Sequence, residues 1–346
     1  MKIAIVTPPL KGHLKRGTGT YMNGLVEALK TFTELSISVI STKDSFDPYD
    51  IIHFPYFDPF FLTIPLRRKR PTVVTVHDLI PIDDPVHFKK GFRGSIIWKI
   101  QKRLLTSVQA VCTDSESSKQ AIIRNTTVRS SRIHVIYLGV NDEFRKPVSE
   151  AEKSHLLKSH NIHSPFLLYV GDINYNKNVN GLLMAFKAVI QSRPDVSLVL
   201  TGPGFSESSI ELESLKTLIT ELNLTECVRI IKYVPIVTLK ALYQSALAYI
   251  QPSFREGFGL PVVEAWASRC PVIASKASSV GEITGDAGIV VDPDNPKTIT
   301  NAVLKIAGND KIREKMIKKG LDRLGLFSWR KAALKLQDIY QIIKSG

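Results

Sequence analysis

Short apolar runs recur along the chain, separated by longer stretches in which apolar and polar residues mix. In the first half the runs fall at 3–7, 36–41, 51–54, 72–77, 110–113 and 133–138. In the second half they fall at 166–171, 197–201, 228–233, 246–251, 271–274 and 288–291. Runs this short that stop at a polar residue or glycine predict buried strands, and the intervening stretches have helical length. Regular alternation of strand and helix builds parallel, doubly wound sheets covered by helices, not sandwiches. Two sets of strands predict an α/β protein of two Rossmann-like domains facing a central cleft.

The stretch 141–164 is polar, contains Pro147 and runs into Pro165, so it reads as the join between two folded halves. This gives a first domain over 1–160 and a second over 161–327. The tail, Phe327-Ser328-Trp329 followed by 330–343, reads as an amphipathic helix with Ser328 as N-cap. Residues 328–346 are expected to pack back on the first domain.

With 346 residues, 44% hydrophobic and 23% charged, the chain suits a soluble globular protein with room for two cores. Cys112, Cys227 and Cys270 are far apart and lack CxxC spacing, which argues against a disulfide framework or a metal knuckle and fits a reducing cytoplasm. No signal peptide or apolar run of membrane-spanning length is expected. The net charge of +14 changes this picture, because it calls for anionic partners. Nucleic acid is disfavoured by the lack of an RNP, helix-turn-helix or zinc-finger signature. The cations concentrate in Arg67-Arg68-Lys69-Arg70 and in 87–103, where Phe88, Phe92, Ile96, Ile97 and Trp98 alternate with lysines and arginines. Such a helix suits an anionic membrane surface, at the inner face of the membrane. It equally suits a helix packed on its own domain with solvated lysines outside.

The chemistry is densest at 254–265, Phe-Arg-Glu-Gly-Phe-Gly-Leu-Pro-Val-Val-Glu-Ala. A buried strand precedes it, and Pro261 suits the first position of a helix. The turn Gly257–Phe258–Gly259–Leu260 would aim backbone N–H groups at an anion over the helix N-terminus, a diphosphate by preference. Glu256 on the loop rim and Glu264 in the first helical turn would accept hydrogen bonds from sugar hydroxyls at the two ends of a sugar nucleotide. Taken singly, each glutamate is explained by dipole compensation and each glycine by a tight bend. The ordered string is what points to a donor site.

Other strand ends carry further candidates, since ligands of open α/β sheets gather there. Gly17-Thr18-Gly19 would form a second anion cradle in a loop before a helix from Met22. His77 ends the strand 72–77 and suits a sugar hydroxyl or acid–base work, although a core or capping role is also open to it. His53 ends a neighbouring strand in the same way. Lys177, on the loop that follows Gly171, could neutralise a departing diphosphate. Asp83-Asp84 and Asp292-Pro293-Asp294 read as turn residues in preference to metal ligands.

Together the 17–19 loop, Val76-His77-Asp78, the helix start at 113–118, Leu138-Gly139-Val140, Tyr169-Val170-Gly171 with Lys177-Asn178, the Glu256…Glu264 pair and Phe327-Ser328-Trp329 occur in one order. The chain thereby resembles, over nearly its whole length, the family 4 retaining glycosyltransferases of the GT-B fold. The resemblance implies a nucleotide-diphosphate sugar, GDP- or UDP-linked, bound chiefly by the second domain, and a glycan or lipid-linked acceptor met by the first. It implies that Glu264 holds the ribose, Glu256 the transferred sugar, and Lys177 the diphosphate. The amides of Gly257, Phe258, Gly259 and Leu260 would contact sugar and phosphate. Gly17, Thr18 and Gly19 would close on the diphosphate, Gly171 would line the site, and His77 would approach the donor sugar. It implies no cofactor, no metal, retention of configuration, and a hexose, by weaker likeness mannose, built into surface polysaccharide. One departure stands out. Relatives often place an arginine where Asp172 or Asn176 stands here, and Lys15, Arg16 or Arg255 would have to supply that charge. A sugar-nucleotide epimerase and a non-catalytic basic binding protein are the alternatives.

Overall fold

A computed structural model describes residues 1–8 and 17–345. They form two compact units, Met1–Gly139 with the segment from Leu326 onward, and Val140–Gly325. Each expected strand is present. In the first unit they are β1 Lys2–Val6, β2 Ser36–Ile40, β3 Ile51–Phe54, β4 Thr72–Thr75, β5 Ala110–Thr113 and β6 Ile133–Val135. In the second they are β7 Phe166–Val170, β8 Ser197–Thr201, β9 Val228–Ile230, β10 Ala248–Gln251, β11 Val272–Ser275 and β12 Ile289–Val291. All neighbouring strands run parallel, in the orders β2-β1-β3-β4-β5-β6 and β12-β11-β10-β7-β8-β9. The protein is thus α/β, with two doubly wound sheets.

Every residue of β3, β4, β5, β10 and β11 is buried, as parallel sheets covered on both faces require. Several strands are shorter than the apolar runs suggest. Val76, Ile136, Leu138 and Ile231 continue the hydrophobic pattern and stay buried after the ladder ends. Hydrophobicity therefore overruns the strand into the buried root of the loop.

The division between units falls at Gly139, ahead of the boundary at 160 read from polarity. The helix Glu150–Ser159 packs on the helix Ile236–Ser245 of the second unit. Phe144 meets the Tyr243 ring edge-on at 6.0 Å, and Gln244 bonds both Val148 N and Lys146 O. Polarity marks this segment as exposed, but it does not say which unit holds it.

The final helix, Trp329–Ser345, lies on the first unit against the helix Gly17–Leu29. Trp329 sits over two glycines, and a Cβ on Gly24 or Gly139 would fall 2.4 or 2.2 Å from its atoms. Tyr340 bonds His53 Nδ1 at 2.5 Å, and Lys344 pairs with Asp50 at 2.6 Å.

Candidate functional site

In the second sheet β7 is flanked by β8 on one side and β10 on the other, so the connections leave in opposite directions. That reversal opens a crevice beyond the strand ends, the usual ligand position in such sheets. Lys177 follows β7 and Glu256 follows β10. The Lys177 ammonium donates to both oxygens of the Glu256 carboxylate at 2.8 Å. The glutamate side chain is 9% exposed and the lysine 22%.

The Glu256 carboxylate is held from several directions. Oε1 also accepts from Gln251 Nε2 at 2.9 Å and Ser253 Oγ at 2.8 Å. The Gln251 amide is itself oriented, because its Oε1 accepts from Tyr249 at 2.9 Å. Backbone contacts fix the loop: Glu256 N donates to Ser278 Oγ at 2.7 Å, and Ser278 and Ser279 each return a hydroxyl to Glu256 O at 2.8 Å. A carboxylate accepting this many charged and neutral donors is a preorganised group.

Two asparagines weld the Lys177 loop to the Glu256 loop. Asn176 Nδ2 donates to Arg255 O at 3.1 Å, and Phe254 N donates to Asn176 O at 2.8 Å. Asn178, in the left-handed region at φ 55°, caps the helix Val179–Ser192 and donates to Pro252 O and Pro293 O. Gly171 and Gly202 let the ends of β7 and β8 close up. A Cβ at Gly202 would lie 2.2 Å from Gly171 O.

The turn after Glu256 is built as expected, with small differences. Gly259 takes φ 103° and is the N-cap of the helix Leu260–Ala267, so Leu260 is its first residue and Pro261 its second. Glu264 is the fifth residue and begins the second turn, not the first. It is half-buried and accepts from the Tyr243 hydroxyl at 3.2 Å. Burial pushes its carboxyl up to about 7, against the pull of the Tyr243 bond. Gly257, Phe258 and Gly259 are buried, and Phe258 O accepts from Ser279.

In the first unit His77 stands just past β4. Its Nδ1 lies 2.6 Å from Asp114 Oδ2 and its Nε2 lies 3.1 Å from Pro55 O. The Tyr21 ring meets it edge-on at 4.8 Å. Burial lowers the imidazole's proton affinity, but the Asp114 charge and hydrogen bond outweigh that and hold it above its ordinary value. His53 plays a different part. It is fully buried, bonded to Thr75 and Tyr340, and burial pushes it down to about 3. It is a neutral core residue.

The sequence profile described as Glycosyl transferases group 1 matches residues 152–323, and that of Glycosyltransferase Family 4 matches residues 8–144. O-antigen chain mannosyltransferase B of Escherichia coli is 30% identical over 296 residues, covering 85% of this chain and 76% of that one. The chain belongs to the group 1, family 4 glycosyltransferases. O-antigen chain mannosyltransferase RfbU of Salmonella typhimurium is also 30% identical, over 70% of this chain and 62% of its own. Among solved structures, sucrose-phosphate synthase of Thermosynechococcus elongatus superposes with a TM-score of 0.81 at 20% identity, with 99% of each chain covered. Anabaena HepE in complex with UDP and glucose gives 0.77 at 17% identity, with 98% of each covered. Both carry the GT-B fold seen here.

As a family 4 glycosyltransferase the protein departs from the pattern read above at several points. Gly17, Thr18 and Gly19 form the first turn of a helix and not a loop before it, and Gly19 is buried. Lys15 and Arg16, considered above as sources of the missing charge, lie outside the described residues. Asn176, which stands where an arginine is frequent, is 6% exposed and serves as the clamp to Arg255. Asp114, Gln251, Ser253, Ser278 and Ser279 were not singled out from the sequence. Asp114, Gln251 and Ser253 sit at the carboxyl end of a strand, and Ser278 and Ser279 open the helix Ser278–Thr284 that follows β11, so position after a strand is the signal that would have found them.

The acidic turns are occupied by protein donors. Asp83 accepts from Arg124 and Asn125, Asp84 from His87, and Asp292 from Lys276. Among the described residues no group of three or more His, Cys, Asp or Glu side chains could hold a metal ion. The described cysteines are free.

The basic segment forms the helix Gly91–Thr106, with Gly94, Gln101 and Leu105 buried. Its outward stripe runs from Phe92, 84% exposed, through Ile96 and Lys99 to Arg103. Gln101 donates to Asp58 O and accepts from Ile64 N, which fastens the segment bearing exposed Phe61 and Leu62 beside the helix. At the other end Arg68 bonds Ser107 at 2.5 Å, which brings in exposed Leu66 and the cluster from Arg67 to Arg70. Among the described residues no helix is long and apolar enough to cross a membrane.

Proposed function

We propose that this glycosyltransferase moves mannose from a nucleoside-diphosphate donor to a glycan or lipid-linked acceptor in surface polysaccharide synthesis, with retention of configuration and no metal. The observation that carries the reading is the Lys177–Glu256 pair at the reversal point of the second sheet, with Glu264 on the adjoining helix. The mannosyl assignment rests on the two O-antigen mannosyltransferases at 30% identity.

In this reading the donor lies across the second unit. Its diphosphate takes the Lys177 ammonium from Glu256, whose freed carboxylate oxygen turns to the sugar hydroxyls. Gln251 and Ser253 keep the carboxylate in place during that exchange. The N-terminus of Leu260–Ala267 and the buried turn before it supply positive dipole to the leaving phosphate. His77 offers a hydrogen bond to the sugar. Transfer of radiolabelled mannose from GDP-mannose to a lipid-linked acceptor tests the reading. Turnover with UDP-glucose and none with GDP-mannose would overturn the mannosyl part.

Glu264 makes donor binding pH-dependent. Its carboxyl titrates near 7, raised by burial, so the ionised form that best accepts two ribose hydroxyls accumulates as pH rises through about 7. Its desolvation acts on stability with the opposite sign, since the folded state holds a proton that the unfolded state has lost. Nucleotide affinity should therefore improve from about pH 6 to 8, and Glu264→Gln should flatten the profile. Calorimetric titration across that range checks it, and an unchanged slope in the variant removes Glu264 from ribose binding.

The exposed aromatic and cationic stripe is assigned to the anionic inner face of the membrane, where the acceptor would be presented. The protein should co-sediment with phosphatidylglycerol vesicles at about 0.05 M salt and be released near 0.5 M. Phe92→Ser should weaken binding at the lower salt. Equal retention by neutral phosphatidylcholine vesicles would overturn the electrostatic part.

A further inference from the structure

We infer that Asp114 is the positioning residue that keeps His77 a doubly protonated imidazolium, making it a hydrogen-bond donor and not a base toward the sugar substrate. This rests on His77 meeting the sugar, as the transfer reading has it. Both partners of the ring are acceptors. Pro55 O can only accept, so Nε2 carries a proton, and the Asp114 carboxylate at 2.6 Å accepts a hydrogen bond from Nδ1–H.

Burial raises the Asp114 carboxyl, while the His77 charge and hydrogen bond pull it back down. The wider surroundings tip the balance to the ion pair over a neutral pair with the proton on Asp114. Asp114 immediately precedes Ser115, the N-cap of the helix Glu116–Asn125, so its charge sits at the positive end of the helix dipole. The groups facing His77 add negative charge or none. Asp78, next in the chain, is a second carboxylate. His53 on β3 is neutral, and burial keeps the Tyr21 phenol and the Cys112 thiol protonated. Ser118 donates to His77 O at 2.8 Å and so holds the backbone of the pair. The Asp114 bond is the anchor. The longer bond to Pro55 is the one a hydroxyl can share, and the ring, 20% exposed, is reachable.

A histidine fixed this way cannot take the acceptor proton. The test is the nitrogen-15 spectrum of His77 in the full chain without substrate, across pH. At about pH 6.5 both ring nitrogens should read as predominantly protonated, the midpoint lying above the ordinary ~6.5. Asp114→Asn should lower that midpoint by about one to three units. It should also cut transfer at about pH 7.5 roughly tenfold, with recovery toward lower pH as the ring regains its proton. A merely structural role would reduce the folded fraction and leave the shape of the pH profile alone. An unprotonated Nδ1 in the unaltered protein overturns the inference, and so does an unmoved midpoint in the variant. Should Asp114→Asn fail to fold, the titration of the unaltered protein still decides. A protein that transfers no sugar yet shows the imidazolium would overturn the transfer reading alone.

Discussion

Glu256→Gln is expected to lower kcat for sugar transfer by on the order of 10²–10³, with a smaller change in donor KM. The substitution keeps the size of the side chain and removes its charge. Oε1 receives Lys177, Gln251 and Ser253, and an amide placed there must turn its NH₂ toward one of these donors or forfeit them. Lys177 loses its partner and becomes a freer cation, which should hold donor affinity up while turnover falls. The backbone contacts to Ser278 and Ser279 do not use the carboxylate, so the loop should stay in place. The thermal midpoint should therefore move little. Steady-state kinetics with the proposed donor, GDP-mannose, beside circular dichroism melts, check both halves. Turnover within about threefold of the unaltered protein would remove Glu256 from the chemistry.

The largest expected effect on stability is at Gly202. Its φ of +136° is a conformation that L side chains rarely adopt, and a Cβ there would lie 2.2 Å from Gly171 O and 2.8 Å from Gly171 N. These are backbone atoms of the neighbouring strand end, so no side chain can swing aside. Strain in a sparsely populated region costs about 1–3 kcal/mol, and overpacking adds a similar amount. Gly202→Ala should thus destabilise the second unit by about 3–5 kcal/mol, and the relief of the clash should displace the loop leading to Lys177. Gly91 is the control. Its φ is +61° with nothing within 4 Å of an added Cβ, so Gly91→Ala should cost only about 1–2 kcal/mol. Urea unfolding of the two variants measures the difference. A loss at Gly202 no greater than at Gly91 would show that the two strand ends separate without cost.

Much of the architecture was written in one-dimensional pattern. Parallel strands buried on both faces appear as continuous apolar runs, and helices of matching length must cross between them. For the same reason the strand ends, where loops carry chemistry, could be located before any strand was paired. Glu256, Gly259 and Glu264 were legible because one short segment contains the whole turn and its helix. The boundary at 160 failed because polarity reports exposure and not the identity of the neighbour, which Phe144 and Tyr243 decide. The placement of Gly17 and Gly19 in a loop failed because a glycine's freedom permits a loop without requiring one.

What lay beyond the sequence is the pairing of groups from different strand ends. Lys177 and Glu256 are 79 residues apart and meet because β7 and β10 are neighbours, an order that no local pattern encodes. His77 and Asp114 are 37 residues apart and meet because β4 pairs with β5. Asn176 could be read from sequence only as the absence of an arginine, whereas the fold makes it a clamp between two loops. The strands and the residues at their ends follow from short-range hydrophobic periodicity, which sequence alone determines. Which ends come together, and with them the charge state of each site residue, follows from strand order and burial, which exist only in the folded chain.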